Sequence, residues 1–202
     1  MQGLDLIFSI AVLIMSVVAH EVSHGYVAAL LGDPTARLSG RLTLNPIKHI
    51  DPVGSILVPA LTYFGAGFIF GWAKPVPYNP YQLRGGKWGP ALVALAGPAT
   101  NLLIAVIFGL FLRFGLIGIG SPASSFIVQI VMVNLVLSVF NFVPIPPLDG
   151  SKILFALLPY NYIAIERWMN AYQLLLVFSF ILFGWQFIFP IIPALFRLIV
   201  GV

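Results

Sequence analysis

The residues with the clearest chemical potential are two histidines and a glutamate in the run His20-Glu21-Val22-Ser23-His24. They lie inside an apolar stretch that extends from residue 6 to residue 31. An ionisable side chain at the centre of a membrane span costs about 3 kcal/mol on insertion scales, so such residues usually have a partner. A metal ion is the partner that suits this combination of side chains.

Helix geometry supports a metal site at this position. Residues four positions apart on an α-helix point in nearly the same direction, so His20 and His24 can bind one zinc ion through their imidazoles. Glu21 flanks that face and can act as general base toward a water molecule at the metal. The structural alternative is that both histidines are interior side chains satisfied by backbone or by Ser16. Because an idle glutamate is unfavourable in a membrane, we favour the metal site.

The composition predicts the class of protein that holds these residues. The chain is 60% hydrophobic and 8% charged, which is typical of a multi-pass membrane protein in a lipid bilayer. Its 202 residues suggest one domain, 1–202, without an appended soluble module. Cysteine is absent, so histidine, aspartate and glutamate are the remaining strong zinc ligands. The net charge of +4 is better explained by membrane topology than by a nucleic-acid partner.

The apolar pattern predicts the helices that position the histidines. The first runs from about residue 4 to residue 31 and, lacking a basic N-terminal region, is interpreted as a retained transmembrane helix rather than a signal peptide. Further apolar spans lie at 89–114, 124–143 and 168–200, with an amphipathic segment at 151–158. We therefore expect an all-α polytopic membrane protein with about four full transmembrane helices. Re-entrant segments and a small extended or β-hairpin region complete this prediction, with a possible strand at 37–44.

Residues 52–70 decide the predicted topology, because they are apolar but interrupted by glycine and proline. If this segment is re-entrant, eight of the ten basic residues lie on one side of the membrane, the arrangement that the positive-inside tendency places in the cytoplasm. The same topology brings His24 and Asp149 to a common depth. We therefore expect a re-entrant segment and an active site toward the cytoplasmic side of a prokaryotic cell membrane.

A third metal ligand is needed, since a catalytic zinc site usually has three protein ligands. The remaining candidates are Asp5, Asp33, His49, Asp51, Asp149 and Glu166. Of these, only Asp149 follows an apolar span in a proline-framed turn, where Gly150 allows a close backbone approach. The alternative role for Asp149 is to cap a helix that begins at Ser151.

Three motifs in this order resemble the site-2 protease family of intramembrane zinc metalloproteases. They are His20-Glu21-x-x-His24, Gly97-Pro98-x-x-Asn101 and Asn141-x-x-Pro144-x-Pro146-x-Leu148-Asp149-Gly150. The resemblance implies that His20, His24 and Asp149 bind one zinc ion per chain and that Glu21 is the catalytic base. The sequence resembles the compact prokaryotic branch, because it has no stretch suited to a PDZ or nucleotide-sensing module.

The resemblance also points to residues that could contact a substrate. Asn101 and Asn141 match polar positions of the family's core, where they could hold the substrate or the oxyanion, or else form interhelical hydrogen bonds. The proline-rich stretch 72–77, which includes Trp72 and Lys74, could pair with an unwound substrate as an added strand. It could equally be a surface loop whose aromatic residue anchors at the membrane interface.

These features predict an enzyme that hydrolyses peptide bonds in or near transmembrane segments of membrane proteins. A metal transporter is one alternative, but it would not need a glutamate facing water beside the two histidines. A di-iron desaturase would need more than the three histidines present. A catalytically silent adaptor of the same fold would usually lack a ligand or the base, and this sequence has all four residues.

Overall fold

The computed structural model describes residues 2–58, 61, 64, 73–118, 120–159 and 163–201. Nine α-helices occur in these residues: α1 (Gln2–Leu30), α2 (Thr35–Leu38), α3 (Trp88–Arg113), α4 (Pro122–Asn141), α5 (Asp149–Leu157), α6 (Ile163–Ala171), α7 (Gln173–Ser179), α8 (Trp185–Ile188) and α9 (Ile191–Val200). Short 3₁₀ turns lie at Pro46–His49 and Pro80–Gln82, and π-helical turns at Val53–Leu57 and Phe180–Gly184.

Three of the helices are long and apolar enough to cross a membrane, which makes the chain an integral membrane protein. They are the Leu6–Leu30 part of α1, α3 and α4, each with a mean hydropathy of 2.1. A fourth span would require α6 to act together with residues 173–188, and these two pieces meet at an angle of 73°. Three of the predicted spans are therefore confirmed, and the fourth stays a prediction.

The end of α1 is set by its glycine. Gly32 has a φ of +104°, a left-handed conformation that residues with a side chain rarely adopt. Its N–H bonds the carbonyl of Ala29 at 3.2 Å, and the N–H of Asp33 bonds that of Ala28 at 3.0 Å, which is a Schellman motif. The helix therefore ends at Leu30, six residues after His24.

Helix α3 forms the centre of the bundle, because it packs against α1, α4, α5 and α9. The largest buried apolar cluster lies between α3, α4 and α9 and includes Ala105, Leu112, Ile127, Val131, Leu135, Ile192, Ile199 and Val200. Pro98 interrupts the hydrogen bonding inside α3, and the hydroxyl of Ser138 on α4 donates to the Pro98 carbonyl at 2.9 Å. Polar and small residues in this part of α3 face the second half of α1.

The two ends of the segment between residues 50 and 73 lie together. The N–H of Lys74 donates to the carbonyl of His49 at 2.8 Å, and the N–H of Arg84 donates to the carbonyl of Leu31 at 2.9 Å. A single full crossing would separate the ends by about 30 Å, the thickness of the hydrocarbon core. His49 and Lys74 therefore lie side by side, as the re-entrant topology predicts, and the course of the segment between them stays a prediction.

The strand expected at 37–44 is wrong at its start, where the chain forms α2 instead. Asp33 explains the difference, since its carboxylate accepts the N–H of Thr35 at 3.0 Å and favours a helical turn there. Residues 73–79 have no regular secondary structure, and the described parts of the chain contain no β-ladder. The predicted hairpin is therefore not confirmed.

Candidate metal centre

Three side chains from two separate helices converge at the middle of the bundle. On α1, His20 and His24 turn their Nε2 atoms toward the start of α5, where Asp149 lies. The Asp149 Oδ2 atom is 3.0 Å from His20 Nε2 and 3.2 Å from His24 Nε2. All three residues are buried, with residue exposures of 6%, 8% and 7%. The structure thus brings together the two histidines and the aspartate that the sequence singles out.

The opposite ring nitrogens of both histidines are held by acceptors. His24 Nδ1 lies 2.7 Å from the backbone carbonyl of Val93, and His20 Nδ1 lies 2.6 Å from Asn101 Oδ1. A backbone carbonyl can only accept, so Nδ1 of His24 carries the hydrogen. Asn101 presents its oxygen to His20, because its amide nitrogen donates to the carbonyl of Ser16. In the neutral rings, both Nε2 atoms therefore carry a lone pair.

This donor set fits a divalent metal ion. Two lone-pair nitrogens and an acceptor-only carboxylate oxygen would repel one another at these separations without a cation between them. A tetrahedral zinc ion with bonds of about 2.0–2.2 Å spaces its ligand atoms by roughly 3.3–3.6 Å. The two measured distances to Asp149 fall just below that range. Nδ1–H groups that donate to a carbonyl are also the usual second contact of zinc-bound histidines.

Glu21 lies beside this donor set rather than in it. One atom each from His20, Glu21 and His24 all lie within 4.8 Å of one another. The Glu21 Oε2 atom accepts the backbone N–H of Val76 at 2.8 Å. Val76 is buried and belongs to residues 73–79, a segment without regular secondary structure that we call the strap. The strap thus holds one carboxylate oxygen of Glu21 by a hydrogen bond, beside the two histidines.

Hydrogen bonds hold the strap in place on both sides of Val76. Before it, the N–H of Lys74 donates to His49, and after it the N–H of Asn79 donates to Asp33 Oδ2 at 2.6 Å. Pro75 and Pro77 have no N–H at all. Residues 74–77 therefore have no free N–H for a substrate strand, which removes half of the ladder that strand addition needs.

Asp33 is the charged residue in this fastening and lies outside the membrane-spanning helices. Burial alone would raise the pKa of its carboxyl group. The hydroxyl and N–H of Thr35 and the N–H of Asn79 all donate to the carboxylate, and together they lower the pKa below its ordinary value. Asp33 therefore joins the end of α1 to the strap as an ionised group.

Close helix contacts at the centre depend on two glycines. A Cβ atom on Gly97 of α3 would lie 2.4 Å from His20 Nε2 and 2.6 Å from His24 Cε1. A Cβ atom on Gly150 would lie 2.2 Å from the carbonyl oxygen of Phe142. Gly150 thus permits the close backbone approach that the sequence predicted, and it lets the turn before α5 present Asp149 to α1.

The second oxygen of Asp149 faces the strap. Lys152, one turn along α5, places its Nζ atom 3.9 Å from Asp149 Oδ1 and 5.5 Å from the centre of the Tyr78 ring. The lysine side chain is 36% exposed, so this ion pair is weakened by solvent. Lys152 nevertheless bridges α5 and the end of the strap.

The residues predicted to contact substrate fall in different places. Asn101 is fully buried, and both hydrogens of its amide have protein partners, so it stands behind His20 rather than at a substrate surface. Asn141 is half-buried and donates to the carbonyl of Leu137 in its own helix. Lys74 has an exposed side chain. Trp72 lies outside the described residues.

Two contributors to the site carried no distinct signal in the sequence. Asn134 on α4 is fully buried and accepts a hydrogen bond from Asn101 at 2.8 Å. Val76 acts through its backbone N–H, which side-chain patterns do not reveal. The prolines on either side of Val76 were the one available indication, since they force an extended backbone.

Comparisons with known proteins agree with this site. The model of peptidase family M50 matches residues 115–183, which include Asp149. "Putative zinc metalloprotease YwhC" of Bacillus subtilis is 42% identical over 160 residues, covering 75% of this chain and 69% of that protein. "Putative zinc metalloprotease MJ0611" of Methanocaldococcus jannaschii is 32% identical, covering 73% and 72%. "Putative zinc metalloprotease Rip2" of Mycolicibacterium smegmatis is 34% identical, covering 71% and 54%.

No solved structure matches the chain. The sequence relatives nevertheless cover most of it, and two of them are matched over more than two thirds of their own length. Their shared description is that of a zinc metalloprotease, which agrees with a membrane-embedded group of two histidines, a glutamate and an aspartate. The chain is an integral membrane protein that belongs to the site-2 protease family, peptidase family M50.

Proposed function

We propose that the protein is a zinc-dependent intramembrane endopeptidase that hydrolyses peptide bonds in or near transmembrane segments of its substrates. In this proposal His20, His24 and Asp149 hold one zinc ion per chain, and Glu21 is the general base. The observation that carries it is the approach of two lone-pair nitrogens to within 3.2 Å of Asp149 Oδ2, directly beside a glutamate. The family membership supports the same chemistry.

Each residue has a distinct part in the proposed reaction. Zinc, when bound, polarises a carbonyl group and makes water more acidic. Glu21 takes a proton from the water that attacks the scissile carbonyl and then gives that proton to the leaving amine. The N–H of Val76 holds Glu21 Oε2, which leaves the other carboxylate oxygen available to accept the proton. Asn101 and the Val93 carbonyl keep the two imidazoles in the orientation that metal binding requires.

The depth of the site supports a membrane-embedded substrate. His24 and His20 lie six and ten residues before Leu30, the end of the first span. At a rise of about 1.5 Å per residue, these positions are roughly 9 and 15 Å from that end. A scissile bond reaching Glu21 would therefore lie within the hydrocarbon region. A helical substrate has its carbonyl groups in intrahelical hydrogen bonds, so it must unwind locally before hydrolysis.

The orientation in the membrane is part of the proposal. The basic loops that flank the strap would lie in the cytoplasm of a prokaryotic cell, together with the active-site end of α1. Because the chain has no cysteine, single cysteines at Lys48 and Lys87 can be labelled cleanly from either side. We expect both to be labelled from the cytoplasmic side. Opposite accessibility of the two probes would contradict this orientation.

The decisive experiment compares Glu21→Gln with wild type in liposomes that contain a transmembrane peptide substrate. Glutamine keeps the size of the side chain but cannot take the proton, so cleavage should fall by about 10²–10⁴-fold while zinc content stays near wild type. Glu166→Gln on α6 is the matched control and should cleave normally. Intact proteolysis by Glu21→Gln would contradict the assignment of the base.

Asp149→Asn separates a ligand from a base. An amide is a weaker ligand than a carboxylate, so both zinc content and cleavage should fall, and added zinc should restore part of the activity. Elemental analysis of the purified wild type should give about one zinc per chain, the ratio expected from a single set of three protein ligands. Metal movement into vesicles without peptide cleavage would favour the transporter alternative. Wild-type protein that holds zinc but neither cleaves nor transports would favour the silent adaptor.

A further inference from the structure

A buried polar network lies behind His20, on the side away from Asp149. It consists of Asn101 on α3, Asn134 on α4 and Ser16 on α1, with exposures of 0%, 0% and 5%. These three residues connect the three membrane-spanning helices at the level of the metal centre. Polar side chains between helices commonly serve only to hold the helices together. This network differs, because one end of it contacts a candidate metal ligand.

The donors and acceptors of the network can be assigned in only one way. The amide nitrogen of Asn134 donates to the carbonyl of Ile130 and to Ser16 Oγ, both at 2.9 Å. Because the Ile130 carbonyl can only accept, the side-chain oxygen of Asn134 must point the other way, toward Asn101. Asn101 Nδ2 donates to that oxygen at 2.8 Å and to the Ser16 carbonyl at 3.2 Å.

This assignment also determines which ring nitrogen of His20 carries the hydrogen. With both hydrogens of the Asn101 amide directed away, Asn101 Oδ1 is the atom that meets His20 Nδ1 at 2.6 Å. The imidazole must then carry its hydrogen on Nδ1 and keep Nε2 as a lone pair that faces Asp149. His24 reaches the same state through a single backbone carbonyl, whereas His20 reaches it through Asn101, whose amide is held by Asn134 and by the Ser16 carbonyl.

We propose that Asn134 is a positioning residue that fixes the ring orientation and tautomer of His20 through Asn101. The proposal rests on the proposed function, because it assumes that His20 Nε2 binds the metal ion. Among the described residues, the hydrogen bonds of Asn134 go to Asn101, Ser16 and Ile130 and not to a metal ligand, so its effect on His20 passes through Asn101. It follows that losing Asn134 weakens metal binding without removing a ligand.

The test measures zinc affinity by competition with a chelator. Asn134→Leu keeps the approximate volume but leaves Asn101 without its stronger acceptor, so we expect the Kd for zinc to rise by about 10- to 100-fold. Gln129→Leu is the matched control, because Gln129 also joins α4 to α1, through a hydrogen bond to Ser9 instead of the network. It should leave the Kd near the wild-type value. An unchanged Kd in Asn134→Leu would overturn the proposal.

A double-mutant cycle tests whether the effect passes through Asn101. In an Asn101→Leu background, the additional change at Asn134 should raise the Kd little further, because the connection to His20 is already broken. Full additivity of the two changes would mean that Asn134 acts by another route and would overturn the proposal. Asn134→Ala serves as a second variant if the leucine packs poorly.

A measurement on the wild type does not depend on folding of any variant. In zinc-loaded protein with ¹⁵N-labelled histidine, His20 should show a protonated Nδ1 and a metal-bound Nε2. Coordination through Nδ1 would overturn the proposal, whether or not the variants fold. Failure of the wild type to bind zinc would instead contradict the proposed function, and normal zinc binding and cleavage by Asn134→Leu would contradict this inference alone.

Discussion

The metal centre has two sides that are built in different ways. On the ligand side, helices α3 and α4 press against α1, and buried partners hold His20 and His24 from behind. On the base side, Glu21 is held by one backbone N–H of the strap. The ligand side is therefore fixed by helix packing, whereas the base side is fixed by a few hydrogen bonds at the ends of loops.

The difference indicates how each side tolerates change. Protein interiors are close-packed, so a ligand side made of helix contacts has little room to adjust. The strap, by contrast, can move if its hydrogen bond to His49 or to Asp33 is weakened. We therefore expect changes on the ligand side to remove the metal ion, and changes on the base side to lower the rate while the metal ion stays bound.

The largest effect is expected at Gly97. In Gly97→Ala the new methyl group would lie 2.4 Å from His20 Nε2 and 2.6 Å from His24 Cε1, well inside van der Waals contact. Because the backbone of α3 cannot retreat without breaking its packing, the imidazoles must turn away. Zinc content should fall below about a tenth of the wild-type value, a loss of at least the ten-fold typical for disturbed ligand orientation, and cleavage should fall with it.

Gly109→Ala is the matched control for this prediction. Gly109 lies on the same helix about 18 Å further along its axis, and its Cβ would come 2.4 Å from Ile199 Cγ2, which is equally tight. This variant should lower the melting temperature through overpacking and yet keep its zinc. Equal zinc loss in both variants would show that general destabilisation, rather than displacement of the ligands, explains the result.

A smaller effect is expected when the strap loses its hydrogen bond to Glu21. Val76→Pro removes the N–H. The fixed φ of proline is compatible with an extended backbone, so the path of the strap should not change. The glutamate is then free to leave its position, and cleavage should fall by about 10²-fold, the usual penalty for a misplaced catalytic group. Zinc content should stay at the wild-type level.

Val76→Ala keeps the N–H and shortens only the side chain, so it isolates the hydrogen bond. It should cleave much faster than Val76→Pro. A rise in cleavage by Val76→Pro would reverse the interpretation, because it would mean that the N–H competes with water for the carboxylate. Loss of zinc from Val76→Pro would contradict the separation of the two sides.

Much of the ligand side could be predicted from the sequence. The spacing of His20 and His24 predicts a shared helix face, and the structure places both on one side of α1. The apolar pattern predicts spans at 89–114 and 124–143, and helices at Trp88–Arg113 and Pro122–Asn141 confirm them. These inferences succeed because they depend on periodicity and on the scarcity of charged residues in a membrane.

The remaining parts could not be read in the same way. The role of Asn134 depends on which helices are neighbours and on the direction of hydrogen bonds, and neither leaves a local pattern. The strap acts through backbone groups, which every sequence has. Strand addition was suggested for 72–77 by its proline-enforced extension, but the same prolines remove the N–H groups that a strand ladder requires. The same feature therefore favours an extended segment and limits the hydrogen bonds that it can donate, and pairing with a substrate stays a prediction.

The smallest effect is expected at Asp33, which fastens the far end of the strap. Asp33→Asn replaces an acceptor of three hydrogen bonds with an amide that can present only one oxygen, a loss of about 1–3 kcal/mol at this joint. Protection of the strap amides against hydrogen exchange should fall at neutral pH, and cleavage should fall only a few-fold. Asp51→Asn is the control, since Asp51 accepts the N–H groups of Val53 and Gly54.

The pH dependence of this effect has a defined sign. The folded-state pKa of Asp33 is lowered, so its contribution to stability is complete above the unfolded-state pKa of about 3.9 and is lost as the pH falls through the folded value. The protection factor of the Asn79 amide in wild type should therefore be level from pH 7 to about pH 4 and then approach that of Asp33→Asn in more acidic solution. A difference between the two proteins that persists well below this range would show that the strap is fastened by something other than the ionised carboxylate. In that case the base side would be as firmly built as the ligand side, and the contrast between them would rest on Val76 alone.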